Sequence, residues 1–372
     1  MIGGAAIHRT RITSLLLFFA LVVLLPVKLV SQSAEGSDSA RTAQSGIYPL
    51  PIFFYTPETG FAGGAAAMYI RRDSAVPRAS SLSANFIYTQ RKQIITSLGG
   101  DLYFHNGSSR LLGDLTFQRY PNKFFGVGNA TSELNEETYT PESFSFRAVF
   151  YRTILTNVFV GPTVRYEHVS LREVDTVGIL RFGQIPGSKG STSTGLGLVA
   201  NWDSRDNTFA ARSGSFYQMS LIFYRRAFGG DHSYVDLLID TRQFFEMTPG
   251  HVLALQVAGE FIGGSAPFQS LARFGGPNFM RGYFEGRYRD KNGVGAQLEY
   301  RFPVWWRFGL VGFGGLAQVA DQISNLSVGR FWLAGGMGLR FALNPEERIS
   351  LRLDYGVGNN ASGFYINVTE AF

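Results

Sequence analysis

Apolar and polar residues alternate one by one along long stretches of this chain. Between residues 348 and 357, every second residue is apolar, and the residues between them are polar or glycine. Residues 294–302, 234–242, 144–150 and 217–223 repeat the pattern. A β-strand turns successive side chains to opposite faces, so each stretch predicts a strand with one apolar and one polar face. The pattern predicts an all-β fold.

Two architectures use such strands. A soluble sandwich buries the apolar face against a second sheet, whereas a membrane barrel turns that face to lipid and keeps the polar face in its lumen. The alternating stretches are long enough for tilted spans, and their polar faces carry charges of both signs. Aromatic pairs stand at strand ends, as interface girdles require: Trp305-Trp306, Phe124-Phe125 and Phe244-Phe245. These features favour a transmembrane antiparallel β-barrel.

The composition agrees with strands and argues against membrane helices. Hydrophobic residues make up 45% of the chain, whereas a protein with many spanning helices would be far more apolar. The 44 Gly, 33 Phe and 17 Tyr disfavour helix and favour strands, turns and interfaces. The chain has no Cys, which excludes disulfides, thiolate metal sites and a Cys nucleophile.

The N-terminus has the organisation of an export signal. Arg9 and Arg11 precede an almost continuous apolar run over residues 14–27, and small and polar residues follow at 31–34. An N-terminal anchor helix is the alternative, but the run is shorter than the roughly 20 residues that a spanning helix needs. The sequence predicts a signal peptide over 1–33, a periplasmic linker over 34–48 and an outer-membrane barrel over 49–372.

The chain shows no sign of a nucleic-acid partner. Its formal charge is +6 and falls to about +3 once Arg9, Arg11 and Lys28 leave with the signal peptide. It has no phosphate-binding loop, no zinc-ligand spacing and no basic run of the kind nucleic-acid binders carry.

The stretches and turns predict about sixteen strands, an even number as single-chain bacterial barrels have. Long connections near 120–141, 172–193, 264–291 and 321–329 fall at one end, and short turns fall at the other. Such barrels usually have long loops on the extracellular side and short turns on the periplasmic side. The first strand, near 50–56, is interrupted by proline, which cannot donate to a β-ladder.

One segment carries a family resemblance. Residues 274–283, Phe-Gly-Gly-Pro-Asn-Phe-Met-Arg-Gly-Tyr, resemble the signature of the BamA/TamA superfamily, the bacterial surface antigen family. The segment 297–303 resembles the stretch just after that signature in the family, and 57–60 resembles an opening of barrel-only members. The matching loop residues are Gly275, Gly276, Arg281, Gly282 and Tyr283. A second motif resembles the family's periplasmic turn and comprises Asp203, Arg205, Asp206 and Gly214.

The resemblance implies that the long extracellular loop folds into the lumen, where its arginine pairs with acids on the wall. The alternation independently points Glu299 to the polar face, so Arg281–Glu299 is the expected lock. The family often has Phe-x-Asp on the next strand, whereas this chain reads Phe313-Gly-Gly315. Either the lock is weaker here or another lumen acid serves. The alternative is a solvated Arg281 beside an ordinary lumen charge at Glu299.

The C-terminal residues resemble the recognition signal of outer-membrane barrels. Phe364, Ile366, Val368 and Phe372 keep an apolar phase. Glu370 breaks that phase, which costs less near the interface than at mid-membrane.

Catalysis is not expected. The histidines left after processing are His105, His168, His232 and His251, and none stands in a hydrolase elbow or with metal-ligand spacing. No catalytic residue, metal or cofactor is predicted.

The resemblance implies a barrel-only member without POTRA domains, since residues 34–48 offer no room for one. Its expected role is to assist insertion or translocation of protein or lipid at the outer membrane of a Gram-negative bacterium. The alternatives are a passive or gated pore and a structural surface antigen. The expected partners are membrane lipid and either unfolded barrel proteins or a separate periplasmic protein, and a monomer is expected.

Overall fold

The computed structural model describes residues 46–71, 80–346 and 348–372. The predicted signal peptide and most of the predicted linker lie outside the described residues. The first strand begins at Gly46, so residues 46–48, assigned to the linker from sequence, belong to the barrel.

Among the described residues, sixteen antiparallel strands form one closed wall, as the sequence predicted. A short strand, β6, extends the line of β5, and two others lie in a long loop. The wall strands are β1 (Gly46–Thr56), β2 (Gly60–Arg71), β3 (Ser80–Thr89), β4 (Ile94–Phe104), β5 (Ser109–Arg119), β7 (Glu137–Leu155), β8 (Val158–Val174), β9 (Ser191–Asp203), β10 (Gly214–Tyr224), β11 (Tyr234–Thr248), β12 (His251–Gly264), β15 (Asn292–Trp305), β16 (Phe308–Ala320), β17 (Trp332–Asn344), β18 (Ile349–Gly358) and β19 (Ala361–Val368). The short strands are β6 (Asn122–Phe124), β13 (Ala272–Phe274) and β14 (Tyr288–Asp290).

The wall closes where β1 meets β19, and this seam is thinly paired. β1 pairs with β2 from Gly46↔Ile70 to Thr56↔Gly60, whereas Tyr55↔Ile366 is the one register pair between β1 and β19 in the described wall. Pro49 and Pro51 lie in β1 and lack the N–H that a ladder needs.

The strands have the apolar outer face and the polar inner face that the alternation predicted. In β15, Leu298 is 47% exposed on the outside, whereas its neighbour Glu299 is 0% exposed and points inward. In β18, Tyr355 and Val357 point out, and Asp354 is buried inside. A closed sheet with apolar side chains outside and polar ones within is what a membrane-spanning barrel requires.

Long and short connections lie at opposite ends. The loops 120–136, 175–190, 265–291 and 321–331 share one end, and tight turns such as 156–157 lie at the other. By their length, the long loops mark the extracellular end. A core of aromatic and aliphatic side chains, including Phe124, Tyr139 and Phe268, fills the barrel beneath them. In the described part of the chain, no helix has the length and apolar character needed to cross a membrane.

Of the aromatic pairs assigned to interface girdles, one is buried in the lumen and one is divided between lumen and outer face. Phe124 and Phe125 are buried under the extracellular loops, so their assignment was wrong. Phe244 points into the lumen while Phe245 points out. Trp305 and Trp306 are exposed at a turn of the short-loop end, where a girdle would lie. In the sequence, an aromatic pair at a strand end looks the same whether it lies in an interface girdle or is buried beneath a loop.

Candidate functional site

The connection between β12 and β15 enters the barrel. Its two short strands, β13 and β14, pair with each other and hold the turn between them as a finger. Gly275 and Gly276 adopt φ values of 114° and 93°, which L side chains rarely allow, and so start this turn. We call residues 275–287 the lumen finger. Its tip is Arg281-Gly282-Tyr283, as the resemblance implied.

Arg281 lies in the interior, 1% exposed, between two carboxylates. One guanidinium nitrogen donates to Glu299 of β15, and the other donates to Asp354 of β18 at 2.5 Å. The guanidinium carbon lies 3.6 Å from the ring centre of Phe313. A buried arginine held by two acids and an aromatic face is fixed in position, and its charge is compensated.

The second acid comes from a strand other than the one the family pattern uses. At the position of that acid stands Gly315, where an added Cβ would lie 3.1 Å from the sulfur of Met280. The space that a side chain would fill is thus taken jointly by the finger and by Ala296 and Gln297 of β15. Asp354, two strands further on, supplies the carboxylate instead. The sequence had left open whether another lumen acid serves.

The lock is part of a larger charge network. Arg301 contacts Glu299 at 2.8 Å, and Arg340 contacts Asp354 at 2.6 Å. Arg340 also contacts Glu370 at 2.7 Å. Removing one member of a buried network leaves its partner charged and unpaired, which costs more than the pair contributes.

Glycines of β18 let the finger touch the wall. An added Cβ on Gly356 would lie 2.6 Å from the carbonyl of Arg281, and one on Gly358 would lie 2.4 Å from the ring of Tyr283. Gly282 itself has φ 116°, and an added Cβ there would lie 2.8 Å from the backbone of Val357. Backbone meets backbone here, so a larger residue on either side would push the finger off the wall.

Tyr283 anchors the tip through its ring and its hydroxyl. The ring packs among Phe274, Tyr288 and Trp332. The hydroxyl donates to the carbonyl of Leu333 at 3.0 Å and accepts from the N–H of Asn359 at 2.8 Å. A buried tyrosine with both functions satisfied is a strong anchor.

The finger also contacts both sides of the seam. The hydroxyl of Tyr365, on β19, accepts from the N–H of Gly282 at 3.0 Å. Glu58, in the turn between β1 and β2, accepts from the N–H of Glu285 at 2.9 Å. Burial raises the pKa of the Glu58 carboxyl, and hydrogen bonds oppose that effect only in part. The finger therefore joins two wall edges that hardly pair with each other.

The predicted periplasmic turn forms a cover over the short-loop mouth. Asp203 pairs with Arg205 at 2.9 Å, and Gly214 has the φ of 93° that returns the chain to β10. Asp206 reaches Arg348, in the turn between β17 and β18, at 2.5 Å. Ala211 lies in one buried cluster with Phe244 and Phe372. We call residues 204–213 the periplasmic strap.

The C-terminal residues divide between two environments. Phe364 and Val368 face outward, and Ile366 takes part in the seam pair. The apolar phase expected for Phe372 is wrong, because β19 ends at Val368 and Thr369 has φ 70°. Phe372 then lies buried near Phe244, 8% exposed. For the same reason, Glu370 points inward to Arg340 and does not break a lipid face.

Sequence reasoning missed Asp354, Gly356, Tyr365 and Glu58 as finger contacts. The alternation in 348–357 placed Asp354 and Gly356 on the inner face, but it gave no sign of what they meet there. Glu58 lay in the segment 57–60 that resembles a family opening. No sequence signal marked Tyr365.

The protein-family comparison matches one domain over most of the chain. The profile of the Omp85 superfamily domain matches residues 71–372. No curated protein sequence matches the chain.

Solved structures with a similar fold include BamA and CdiB. BamA from Haemophilus ducreyi lacking POTRA domains 1–3 shares 16% identity with a TM-score of 0.63, over 87% of this chain and 70% of that one. CdiB from Acinetobacter baumannii shares 13% identity with a TM-score of 0.53, over 87% and 60% of the two chains. CdiB from Escherichia coli shares 10% with a TM-score of 0.57, over 88% and 68%. At these identities the likeness concerns the fold.

Proposed function

The chain belongs to the Omp85 superfamily, and on that premise we propose that it assists the insertion or translocation of proteins or lipids at the outer membrane. The observation that carries this proposal is the seam. One register pair joins β1 to β19, and the finger spans the two edges through Tyr365 and Glu58. An edge that opens presents unpaired backbone groups to which another strand can add.

The remaining parts of the proposal rest on the sequence. A signal peptide over 1–33 would export the chain to the outer membrane of a Gram-negative bacterium. The role would be non-catalytic, without metal or cofactor. Unfolded barrel proteins would be the clients, membrane lipid the surroundings, and a separate periplasmic protein would deliver the clients to a monomeric barrel.

Cysteine pairs across the seam test the proposal. The chain has no Cys, so Tyr55→Cys with Ile366→Cys gives one defined pair at the facing seam positions. Tyr55→Cys with Phe61→Cys is the matched control, because these residues face each other in the well-paired β1–β2 ladder. We expect oxidation of the seam pair to stop insertion of a barrel client into proteoliposomes, and reduction to restore it. Full activity with an oxidised seam would overturn the proposal.

A gated pore is the second candidate, because the finger leaves polar space in the lumen. A cavity of about 220 Å³ lies between the finger and the wall, lined by charged and polar side chains such as Glu58, Glu167, Arg273 and Arg289. Single-channel conductance of the purified barrel, compared with Arg281→Ala, separates this function from the first. If the barrel is a gated pore, release of the finger in Arg281→Ala should raise its conductance. If the barrel works by opening its seam, the main effect of Arg281→Ala should be a loss of insertion activity.

A further inference from the structure

Residues 369–372 turn away from the wall and enter the lumen, and we call them the inward tail. Thr369 has φ 70°, and its N–H donates to the carbonyl of Ser350 at 2.8 Å, so the turn begins directly after β19. The side chain of Glu370 is 7% exposed, and Phe372 is 8% exposed. The strand that borders the seam thus continues into a buried segment inside the barrel.

The tail is held in the lumen by packing and by a charged donor. Ala371 and Phe372 lie in one buried cluster with side chains of the strap and the wall, namely Ala211, Phe244 and Ala254. The guanidinium carbon of Arg301 lies 5.4 Å from the ring centre of Phe372. One nitrogen of the same guanidinium donates to the carbonyl of Phe372 at 2.9 Å. Arg301 therefore contacts both the tail and Glu299 of the lock.

Alternating charges join the tail to the finger in a closed ring. The members of the ring, in order, are Arg281, Glu299, Arg301, Glu370, Arg340 and Asp354. Glu370 contacts Arg340 at 2.7 Å and Arg301 at 3.8 Å. Arg281 of the finger lies opposite Glu370 in this ring, between the two acids that the other arginines also contact. The tail and the finger are thus connected through wall residues that each of them needs.

The tail supplies a carboxylate that the lock is short of. Arg352 lies 3.5 Å from Asp354 and adds a fourth guanidinium to the ring. With Glu370 in place, four cations share three carboxylates, and without Glu370 they would share two. Buried charges are poorly screened by solvent, so the loss of one carboxylate weakens the hold on every cation. Arg281 should be released first, because it lies on a loop, whereas the other three arginines lie on wall strands.

We propose that the inward tail is a latch that couples β19 to the lumen finger. β19 carries the tail and has one register pair with β1 in the described wall. Movement of β19 draws Glu370 and Phe372 from their sites, and the lock then loses a carboxylate and releases Arg281. A coupling between two sites is reciprocal, so release of the finger also loosens the tail.

This inference goes beyond the proposed function, and its test does not use insertion activity. Glu370→Gln removes the charge of the tail and keeps its shape. Trypsin cleavage within residues 281–289, whose three arginines are buried, reports release of the finger. We expect cleavage about tenfold faster than in the wild type, within the usual range of couplings between sites. Asp101→Asn is the matched control and should be cleaved like the wild type, because its pair with Arg110 joins β4 to β5.

A cysteine in the tail tests the reverse direction. Ala371 is 9% exposed and the chain has no Cys, so Ala371→Cys should react slowly with a maleimide. We expect the addition of Arg281→Ala to raise this rate about tenfold. Val199→Cys is the control, because Val199 is 3% exposed in a separate cluster with Val149. Its rate should not change.

Heat-modifiable mobility on gels verifies that each variant is a closed barrel. Finger cleavage that Glu370→Gln leaves at the wild-type rate would overturn the latch. Labelling of Ala371→Cys that Arg281→Ala leaves unchanged would overturn it as well. An equal rise in the two controls would also overturn it, because the variants would then loosen the barrel as a whole.

Discussion

At the scale of single residues, the lock is a problem of buried charge. Arg281 has left water and depends on Glu299 and Asp354 for its compensation. The attraction within such a pair only roughly balances the desolvation of its members. The network is therefore better understood as a device that fixes position than as a source of net stability, although removal of one acid alone would still leave a buried charge unpaired.

Replacement of Glu299 by Gln should weaken the barrel strongly. The change leaves Arg281 and Arg301 short of a countercharge, and breaking a buried pair costs about 3–5 kcal/mol. The measurement is the temperature at which the fast-migrating form is lost on gels. Asp114→Asn is the control, since its pair with Arg147 is partly exposed and contributes about 0–1 kcal/mol. Equal shifts for both variants would argue against a special role for the lock.

Replacement of Gly356 by Ala should displace the finger without removing any charge. The new Cβ would lie 2.6 Å from the carbonyl of Arg281, and neither backbone can give way easily. We expect trypsin to cleave within residues 281–289 of this variant and to leave that segment intact in the wild type, where Arg281, Arg287 and Arg289 are buried. Gly314→Ala is the control, because its Cβ would lie 3.8 Å from the nearest atom. Protection that survives in Gly356→Ala would show that the wall can adjust.

What the sequence could predict of the lock depends on strand geometry. Alternation alone placed Glu299 inside, because a strand has a period of two. It could not pair Asp354 with Arg281, since that contact depends on how the finger crosses the lumen between β15 and β18. The close approach at Gly356 was equally out of reach, because a glycine on an inner face reads as a weak strand position.

At the scale of elements, Arg348 ties the periplasmic strap to the turn between β17 and β18, because it contacts both Asp206 and the carbonyl of Ala210. Burial raises the pKa of Asp206, but hydrogen bonds from Arg348 and from the N–H groups of Arg212 and Ser213 outweigh it and leave the pKa below its usual value. A carboxyl with a lowered pKa stabilises the fold above its unfolded pKa of about 3.9, and that stabilisation is lost as pH falls through the folded value.

The strap should accordingly stay closed at neutral pH and open only in acid. Asp206→Asn removes the charge at every pH, so we expect higher single-channel conductance at pH 7 in this variant. In the wild type, a comparable rise should appear only when the pH falls below about 4. Asp101→Asn is the control, because its pair with Arg110 joins neighbouring strands and crosses no opening. Conductance of Asp206→Asn at the wild-type level would contradict a closing role.

Both ends of the barrel were misjudged from the sequence, for different reasons. Phe372 was assigned to the lipid face because the apolar phase was extended past Val368. The positive φ of Thr369 ends that phase, and a single backbone angle leaves no mark in the hydrophobic pattern. Gly46 to Tyr48 were assigned to a linker because the prolines at 49 and 51 argued against a strand that begins before them.

At the scale of the whole molecule, the finger divides the lumen into a filled part and a polar remainder. The filled part lies against β15 to β18, where Arg281 and Tyr283 dock. The remainder borders β7 and β8 and includes the cavity at Glu167. Closure of the sheet and its strand number were predictable from alternation and turn spacing, whereas this unequal filling was not, because it depends on contacts between distant elements.

Removal of the finger should convert the barrel into an open channel. Replacing residues 276–286 with a short Gly/Ser linker keeps β13 and β14 but deletes Arg281 and Tyr283. We expect conductance to rise severalfold and the gel-shift temperature to fall. Replacing residues 226–232 in the loop between β10 and β11 is the control, because that loop lies outside the lumen finger. A deletion variant that conducts as little as the wild type would show that other segments seal the lumen.

The position of the finger's partners also sets an order in time. Residues 281–283 are synthesised before Asp354, Gly356 and Tyr365, which hold them. The tip can complete its contacts only in a sheet that already contains β18 and β19, because Asp354, Gly356 and Tyr365 lie on those strands. Contacts between such distant parts of a chain form slowly. We therefore expect the finger to dock fully only late in folding, and any factor that delays β18 and β19 to delay the complete lock with it.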